Sequence, residues 1–426
     1  MNSRRSFLGQ LSAACAAGVA WPRESQGHLR DAAVDAAPPP PVLPLPPAAA
    51  SQLGSLYPFV RSQAAQLTFP LSYLHDRFTD LAAWKAEARG RLLELLQYAP
   101  ARCAPQPQVV RRSERNGYVQ EELSFLTAPD VRVPASLLIP QRAQRPAPGI
   151  VALHDHGAFY LWGREKLLEN EVEHTALGDF RRQYYGGRSI AAELARRGYV
   201  VLVIDMFYWG ERRVLYDDDP ADWRERSLAM PLDRVREFHA RASQNEQFAA
   251  RALLTAGLTW PGLMLWDDMR SVDYLLTRPE VDPQRIGCVG LSVGGLRSMY
   301  LAALDERIRA AVVCGWMASF PAQLQSHLRN SIGFTKLIPG LTRWLDYPDV
   351  AALAIPSPLL VINGRRDALF EPAGVQASFD KLTACYRKAG HPDRFRGTWY
   401  DTPHEFNVEM QTEAWKWLDH WLSPAS

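Results

Sequence analysis

Cysteine is scarce in this chain of 426 residues: five in all, with Cys103, Cys288, Cys314 and Cys385 far apart after Cys15. No two stand at metal-ligand spacing, so a structural zinc site is excluded and no disulfide pairing is singled out. An excess of one charge is also missing. Lys and Arg number 48 against 46 Asp and Glu, a net of +2, which gives no electrostatic reason for a nucleic acid or an anionic membrane as partner. The apolar run over 7–20 falls short of the roughly 20 residues needed to span a bilayer. No G-x-G-x-x-G motif follows an early strand, which disfavours dehydrogenase chemistry, and no internal repeat is evident. What remains, 47% hydrophobic and 22% charged residues, suits a folded globular body.

The first 30 residues begin Ser3-Arg4-Arg5-Ser6-Phe7-Leu8-Gly9. A paired-arginine start before a short apolar run is the pattern of a twin-arginine export signal, and it predicts a periplasmic or extracellular protein. Residues 31–55 hold seven prolines between Pro38 and Pro47 and read as an extended linker. In 56–114, Leu81, Trp84, Ala88, Leu92 and Leu95 recur at helical spacing, marking an N-terminal helical extension. Residues 115–426 form the main domain. Strands are predicted at 118–128 and 132–139, paired as a hairpin, then at 149–153, 199–204, 285–291, 308–314, 357–363 and 395–400. Helices are predicted at 190–197, 266–277, 295–304 and 413–422. Short apolar strands alternating with helices predict an α/β class with a mostly parallel sheet covered on both faces. Two excursions, 207–265 and 316–350, exceed ordinary connections and are expected to wall or cover a substrate pocket.

The sharpest motif is Gly290-Leu291-Ser292-Val293-Gly294-Gly295 between a predicted strand and a predicted helix. G-x-S-x-G in that context is a nucleophile elbow, which projects a strained serine above the sheet. A serine hydroxyl is a weak nucleophile, so it needs a base and a group orienting that base. The order Ser, then Asp or Glu, then His is met by Asp367, beyond the apolar run 358–362, and by His404, beyond the last strand. His391, Asp401 and Glu405 compete less well: His391 precedes that strand in a turn, and adjacency to His404 does not supply a face-to-face hydrogen bond.

An acyl-transfer site also needs backbone N–H groups for the developing oxyanion. Val293 offers one, and His156 or Gly157, in Leu153-His154-Asp155-His156-Gly157, the other. The same His-Asp-His cluster could suggest a metal, yet no complementary downstream set exists, so neither metal nor cofactor is expected. Glu165, Glu169, Glu171, Glu173 and His174 read as a solvated acidic face, as does Asp217-Asp218-Asp219. The aromatics of 207–209, with Trp260, either line the pocket or pack beneath it.

Together these features resemble the α/β-hydrolase family, especially its dienelactone-hydrolase-like and acetyl-xylan-esterase-like branch, over roughly residues 115–424. The resemblance rests on Gly290 to Gly295, the preceding helix Trp266-Asp267-Asp268-Met269-Arg270-Ser271-Val272-Asp273-Tyr274-Leu275, Asp367 and His404. It implies a mostly parallel eight-stranded sheet flanked by helices, with cap-like insertions, and it implies Ser292 as nucleophile, His404 as base and Asp367 as orienting acid. Two departures stand out. His154-Asp155-His156-Gly157 replaces the familiar His-Gly-Gly-Gly, and serine occupies the position where a dienelactone hydrolase carries cysteine, which favours ester hydrolysis. The expected function is a serine carboxylic-ester hydrolase working through an acyl-enzyme on a small-molecule or carbohydrate ester, with carbohydrate acetates foremost. A serine exopeptidase or amidase, and a non-catalytic carbohydrate-binding or scaffold protein, are the competing readings. The sequence assigns no oligomeric state.

Overall fold

A computed structural model describes residues 51–143 and 146–423. The export signal and most of the proline-rich linker lie outside the described residues. Nine strands form one sheet: β1 Gln108–Arg115, β2 Tyr118–Ala128, β3 Val131–Pro140, β4 Ala147–Leu153, β5 Val200–Ile204, β6 Val281–Leu291, β7 Ile308–Cys314, β8 Leu359–Gly364 and β9 Phe395–Tyr400. Their order is β1-β2-β3-β5-β4-β6-β7-β8-β9. The steps from β1 through β5 are antiparallel, and those from β5 through β4 to β9 are parallel.

The residues account for this layout. β5 and β8 are buried at every position, as expected of parallel strands covered on both faces, and so they read as unbroken apolar runs. Ala128 pairs with Val131 across Pro129-Asp130, which closes the predicted hairpin. The family resemblance implies eight strands, and the ninth is β1. Its first five residues are all exposed, Val110 and Arg111 included, so it carries no alternating apolar signal. Arg111, Arg112 and Arg115 on that edge discourage pairing with another chain.

Helices cover both faces. Leu81–Leu96 is started by Asp80, whose side chain accepts the Ala83 N–H, and buries Trp84, Ala88, Leu92 and Leu96. Trp260–Leu275 and Val293–Leu304 pack together and are pinned by Arg297 and Asp268. Both side chains are fully buried, with Nη2 2.6 Å from Oδ1 and Nε 2.9 Å from Oδ2. Among the described residues no single helix is long and apolar enough to cross a membrane.

β4 has β5 on one side and β6 on the other, so the connections leaving these strands run to opposite sides of the sheet. Such a switch point opens a crevice at the carboxyl ends of the strands, where ligands bind in open α/β sheets. Leu153 lies level with Gly290, and Leu291 with Cys314, so the segments after β4, β6 and β7 emerge side by side.

Candidate active site

Ser292 stands between β6 and the helix Val293–Leu304, with φ 58° and ψ −121°. A left-handed φ is costly for a serine, about 1–3 kcal/mol, and persists only where the surroundings impose it. Here Ser292 N–H donates to Cys314 O at 2.8 Å, and Ser292 O accepts from Leu296 N–H at 2.9 Å. The flanking glycines are required by close approach. A Cβ on Gly294 would lie 2.0 Å from Leu153 O, and one on Gly290 would lie 2.4 Å from the Gly294 backbone. The N–H of Val293 opens the helix, where backbone donors lack intrahelical partners and the dipole favours negative charge.

Asp367 and His404 arrive on the loops after β8 and β9. Those loops are tied to each other: Arg365 N–H donates to Tyr400 O at 2.7 Å, and Arg366 N–H to Thr402 O at 3.0 Å. His404 Nδ1 lies 2.6 Å from Asp367 Oδ2, while Oδ1 accepts the Leu369 N–H at 2.9 Å. An ionised carboxylate only accepts, so Nδ1 is the donor in this pair, and in the neutral ring the lone pair is on Nε2. Gly315 makes room for the ring, since a Cβ there would come within 3.1 Å of His404 Cε1.

Ser292 and His404 line one cavity of about 500 Å³, together with Asp155, His156, Gly157 and Ala158 from the loop after β4. The proposed site residues are thus brought to one place by segments that follow β4, β6, β8 and β9. Both long excursions reach the same cavity, through Ser243 and Glu246 from one and Arg329, Asn330, Gly333 and Lys336 from the other. His391 precedes β9, within the turn that ends at Arg394.

The loop after β4 is held from behind by Lys166, which is fully buried. Its Nζ donates to Asp155 O at 2.8 Å and His156 O at 3.0 Å, and pairs with Asp155 Oδ2 at 3.3 Å. In a trans peptide the N–H points opposite to the carbonyl. Gathering both carbonyls on Lys166 therefore turns the N–H groups of His156 and Gly157 to the other side. Ala158 N–H is not available, because it donates to His156 Nδ1 at 2.9 Å. With Nδ1 accepting, the His156 proton sits on Nε2 and bonds Glu246 Oε1 at 2.7 Å. Gly157 takes φ +56°, a conformation glycine adopts without the penalty that a Cβ brings.

Several groups at the cavity have no signal in the sequence. Glu246 accepts from both His156 and the Tyr160 hydroxyl, the latter at 2.9 Å. Burial works against its charge, but these bonds outweigh it and hold the carboxyl below its ordinary value. Lys336 is pushed down to about 8 by burial, with the Glu246 charge in partial opposition. Its Nζ donates to Ser331 O at 2.7 Å. Both nitrogens of His154 are engaged, by Asp155 O at 2.8 Å and Met206 N–H at 3.1 Å, which leaves it no lone pair for a metal.

Three other expectations meet the structure. The acidic run near 165–174 is solvated only in part: Glu169 and Glu171 are exposed, paired with Arg196 and Arg115, whereas Glu165 and Glu173 are half-buried against Arg226 and Arg181 and the buried His174 caps the helix Thr175–Tyr185. In the Asp217 triplet, Asp219 is buried and bound to Arg241 at 2.9 Å. Tyr208, Trp209 and Trp260 are buried and packed on one another. The four described cysteines are free, and burial pushes the thiols of Cys288, Cys314 and Cys385 up, which suppresses the reactive thiolate.

A family model described as the dienelactone hydrolase family matches residues 185–391, and one described as an abhydrolase family matches residues 55–221. The Bacillus subtilis (strain 168) protein YtaP, which carries the name of a hydrolase, is 27% identical over 338 residues, 79% of this chain and 100% of its own length. A structure from Bacteroides fragilis NCTC 9343 that carries the name of an acetyl xylan esterase superposes with a TM-score of 0.63 at 18% identity, covering 81% of this chain and 82% of the other. The glucuronoyl esterase from Teredinibacter turnerae T7901 superposes at 0.55 with 14% identity, covering 84% and 90%. At such identities the two structures speak to the fold.

Proposed function

Because the chain belongs to the dienelactone-hydrolase branch of the α/β-hydrolase superfamily, we propose that it is a serine carboxylic-ester hydrolase acting through Ser292, His404 and Asp367. Family membership supports hydrolytic, esterase-type activity in general. The finer reading rests on one observation: an imidazole oriented by a carboxylate at 2.6 Å shares a cavity with a serine held at positive φ.

In the proposed cycle His404 Nε2 takes the proton of Ser292 as Oγ attacks the ester carbonyl. The carbonyl oxygen gains the negative charge, stabilised by the N–H of Val293 and by the N–H groups turned outward at His156 and Gly157. The tetrahedral adduct collapses as His404 returns its proton to the departing alcohol, leaving an acyl-serine. Water then gives a proton to His404 as it attacks the acyl carbon. The second tetrahedral adduct collapses with cleavage of the C–Oγ bond, the His404 proton passing to Ser292 Oγ as the acid is released. Asp367 fixes the tautomer throughout and stabilises the imidazolium. Carbohydrate acetates are the first substrates to test, since the fold neighbours carry carbohydrate-esterase names. Export through the twin-arginine route belongs to the same proposal and rests on Arg4-Arg5 and the apolar run behind them.

The decisive experiment sets wild type beside Ser292→Ala on paired ester and amide substrates, with a serine-reactive phosphonate as label. Ester turnover and labelling in the wild type, both lost in the variant, are expected. Undiminished turnover by pure Ser292→Ala refutes the assignment of the nucleophile.

A further inference from the structure

Beside the polar cavity lies a second one of about 440 Å³, walled by Ala250, Leu254, Trp260, Ile332, Leu337 and Ile338 among others. Three features join the two. Lys336 lines both. The helix Leu232–Thr255 presents Ser243 and Glu246 to the polar cavity and Ala250 and Leu254 to the apolar one. Steps of three and four place all four residues on a single helix face, and Glu246 to Ala250 is about one turn, roughly 6 Å along the axis. The partition is also thin: Arg329, Asn330 and Gly333 line one cavity, while Leu328, Ile332 and Phe334 line the other.

The apolar cavity has a mouth that the fold leaves open. Leu254, Phe334 and Leu337 are 48%, 36% and 44% exposed, although burying a side chain of this size is worth about 1.5–3 kcal/mol. The geometry points to a subsite that takes an apolar alkyl or aryl substituent of the ester, while the reacting carbonyl stays beside Ser292 in the polar cavity. Resting on the ester-hydrolase reading, this inference adds to it a substrate with one polar end and one apolar end.

Two arms of substrates test it: nitrophenyl esters lengthened on the acyl side from acetate to octanoate, and acetates lengthened on the alcohol side. In the arm whose substituent enters the subsite, KM falls about fourfold for each buried methylene at near-constant kcat, while the other arm stays flat. Ile332→Trp fills the subsite. Leu337→Asp charges its exposed rim at a position where folding is not at stake. Both variants return the responding arm to its acetate level and leave acetate turnover unchanged. Flat profiles in both arms, or a rise that survives both variants, overturn the subsite.

Binding of 1-octanol to Ser292→Ala, followed by calorimetry, keeps the two readings separate. Saturable binding that Ile332→Trp abolishes supports the subsite even where the nucleophile assignment fails. No octanol binding overturns the subsite and leaves that assignment standing.

Discussion

Gly157→Ala puts the oxyanion loop to the test with a single methyl group. At φ +56° the added Cβ would stand 2.5 Å from Phe180 Cζ and 2.5 Å from Asp155 Oδ2. The left-handed backbone costs alanine about 1–2 kcal/mol, and overpacking adds typically 1–3 kcal/mol. Neither neighbour has room to yield. Phe180 is stacked on Phe159 with ring centroids 4.5 Å apart, and Asp155 is held by Tyr185 and Lys166. The loop therefore gives way, and with it the peptide whose N–H faces the cavity. Losing one oxyanion donor costs about 2.7–4 kcal/mol, or 10²–10³ in kcat. KM should change little, because the charge it stabilises exists only in the transition state. Steady-state kinetics on a nitrophenyl acetate, with phosphonate titration counting folded competent sites, measures this directly. A kcat per competent site within threefold of wild type refutes the placing of an oxyanion donor on this loop.

Three further outcomes follow from the geometry. Asp367→Asn presents an amide N–H or a neutral oxygen to His404 Nδ1 and unsettles the tautomer, so kcat should fall by about 10³–10⁴ with thermal stability nearly unchanged; a loss below tenfold removes Asp367 from the site. His239 Nδ1 accepts the Tyr160 N–H at 3.1 Å, and burial, aided by the Lys166 charge, pushes its imidazole down to about 3. The unfolded chain then binds more protons between about pH 6.5 and pH 3, so this contribution is complete above pH 6.5 and drains away on acidification, on the order of 5 kcal/mol at full extent. Urea midpoints of wild type should fall more steeply from pH 7 to pH 4 than those of His239→Asn, and equal slopes refute the assignment. Asp268→Asn strips Arg297 of the buried carboxylate it is paired with and should cost about 3–5 kcal/mol in urea unfolding; a change under 1 kcal/mol shows that the pair does not pin the two helices.

Much of the site was legible because its chemistry is local. Gly290 and Gly294 are small for a reason that any elbow shares, and Asp367 and His404 each stand just past an apolar strand. The central strands were legible too, since burial on both faces leaves an unbroken apolar run. β1 was not, because an exposed edge needs no apolar face and its arginines erase the period of two. The helix from Trp260 starts six residues before its periodic stretch. Pro261 and Gly262 look like breakers, yet Pro sits in the first turn and Thr259 accepts the Gly262 N–H at 3.0 Å. Long-range polar pairing leaves no trace in a single sequence: His156 and Glu246 are 90 residues apart, and the two carbonyls on Lys166 could belong to any lysine. For the same reason the burial of Glu165, Glu173 and Asp219 against arginines was not legible, while Glu169, Glu171, Asp217 and Asp218 are exposed as expected.

Strand ends carry the proposed reacting groups, whereas 207–265 and 316–350 supply part of the polar cavity's wall and all of the apolar cavity's lining. Chemistry and selectivity are thereby housed on separate stretches of chain, one rooted in the sheet and the other laid over it. The overlying stretches can accumulate changes that reshape what is admitted while the proton relay beneath is left undisturbed. Grafting 316–350 between relatives of this fold is accordingly a route to new specificity, whereas a graft of 207–265 has to keep Glu246, which bonds His156 on the loop after β4.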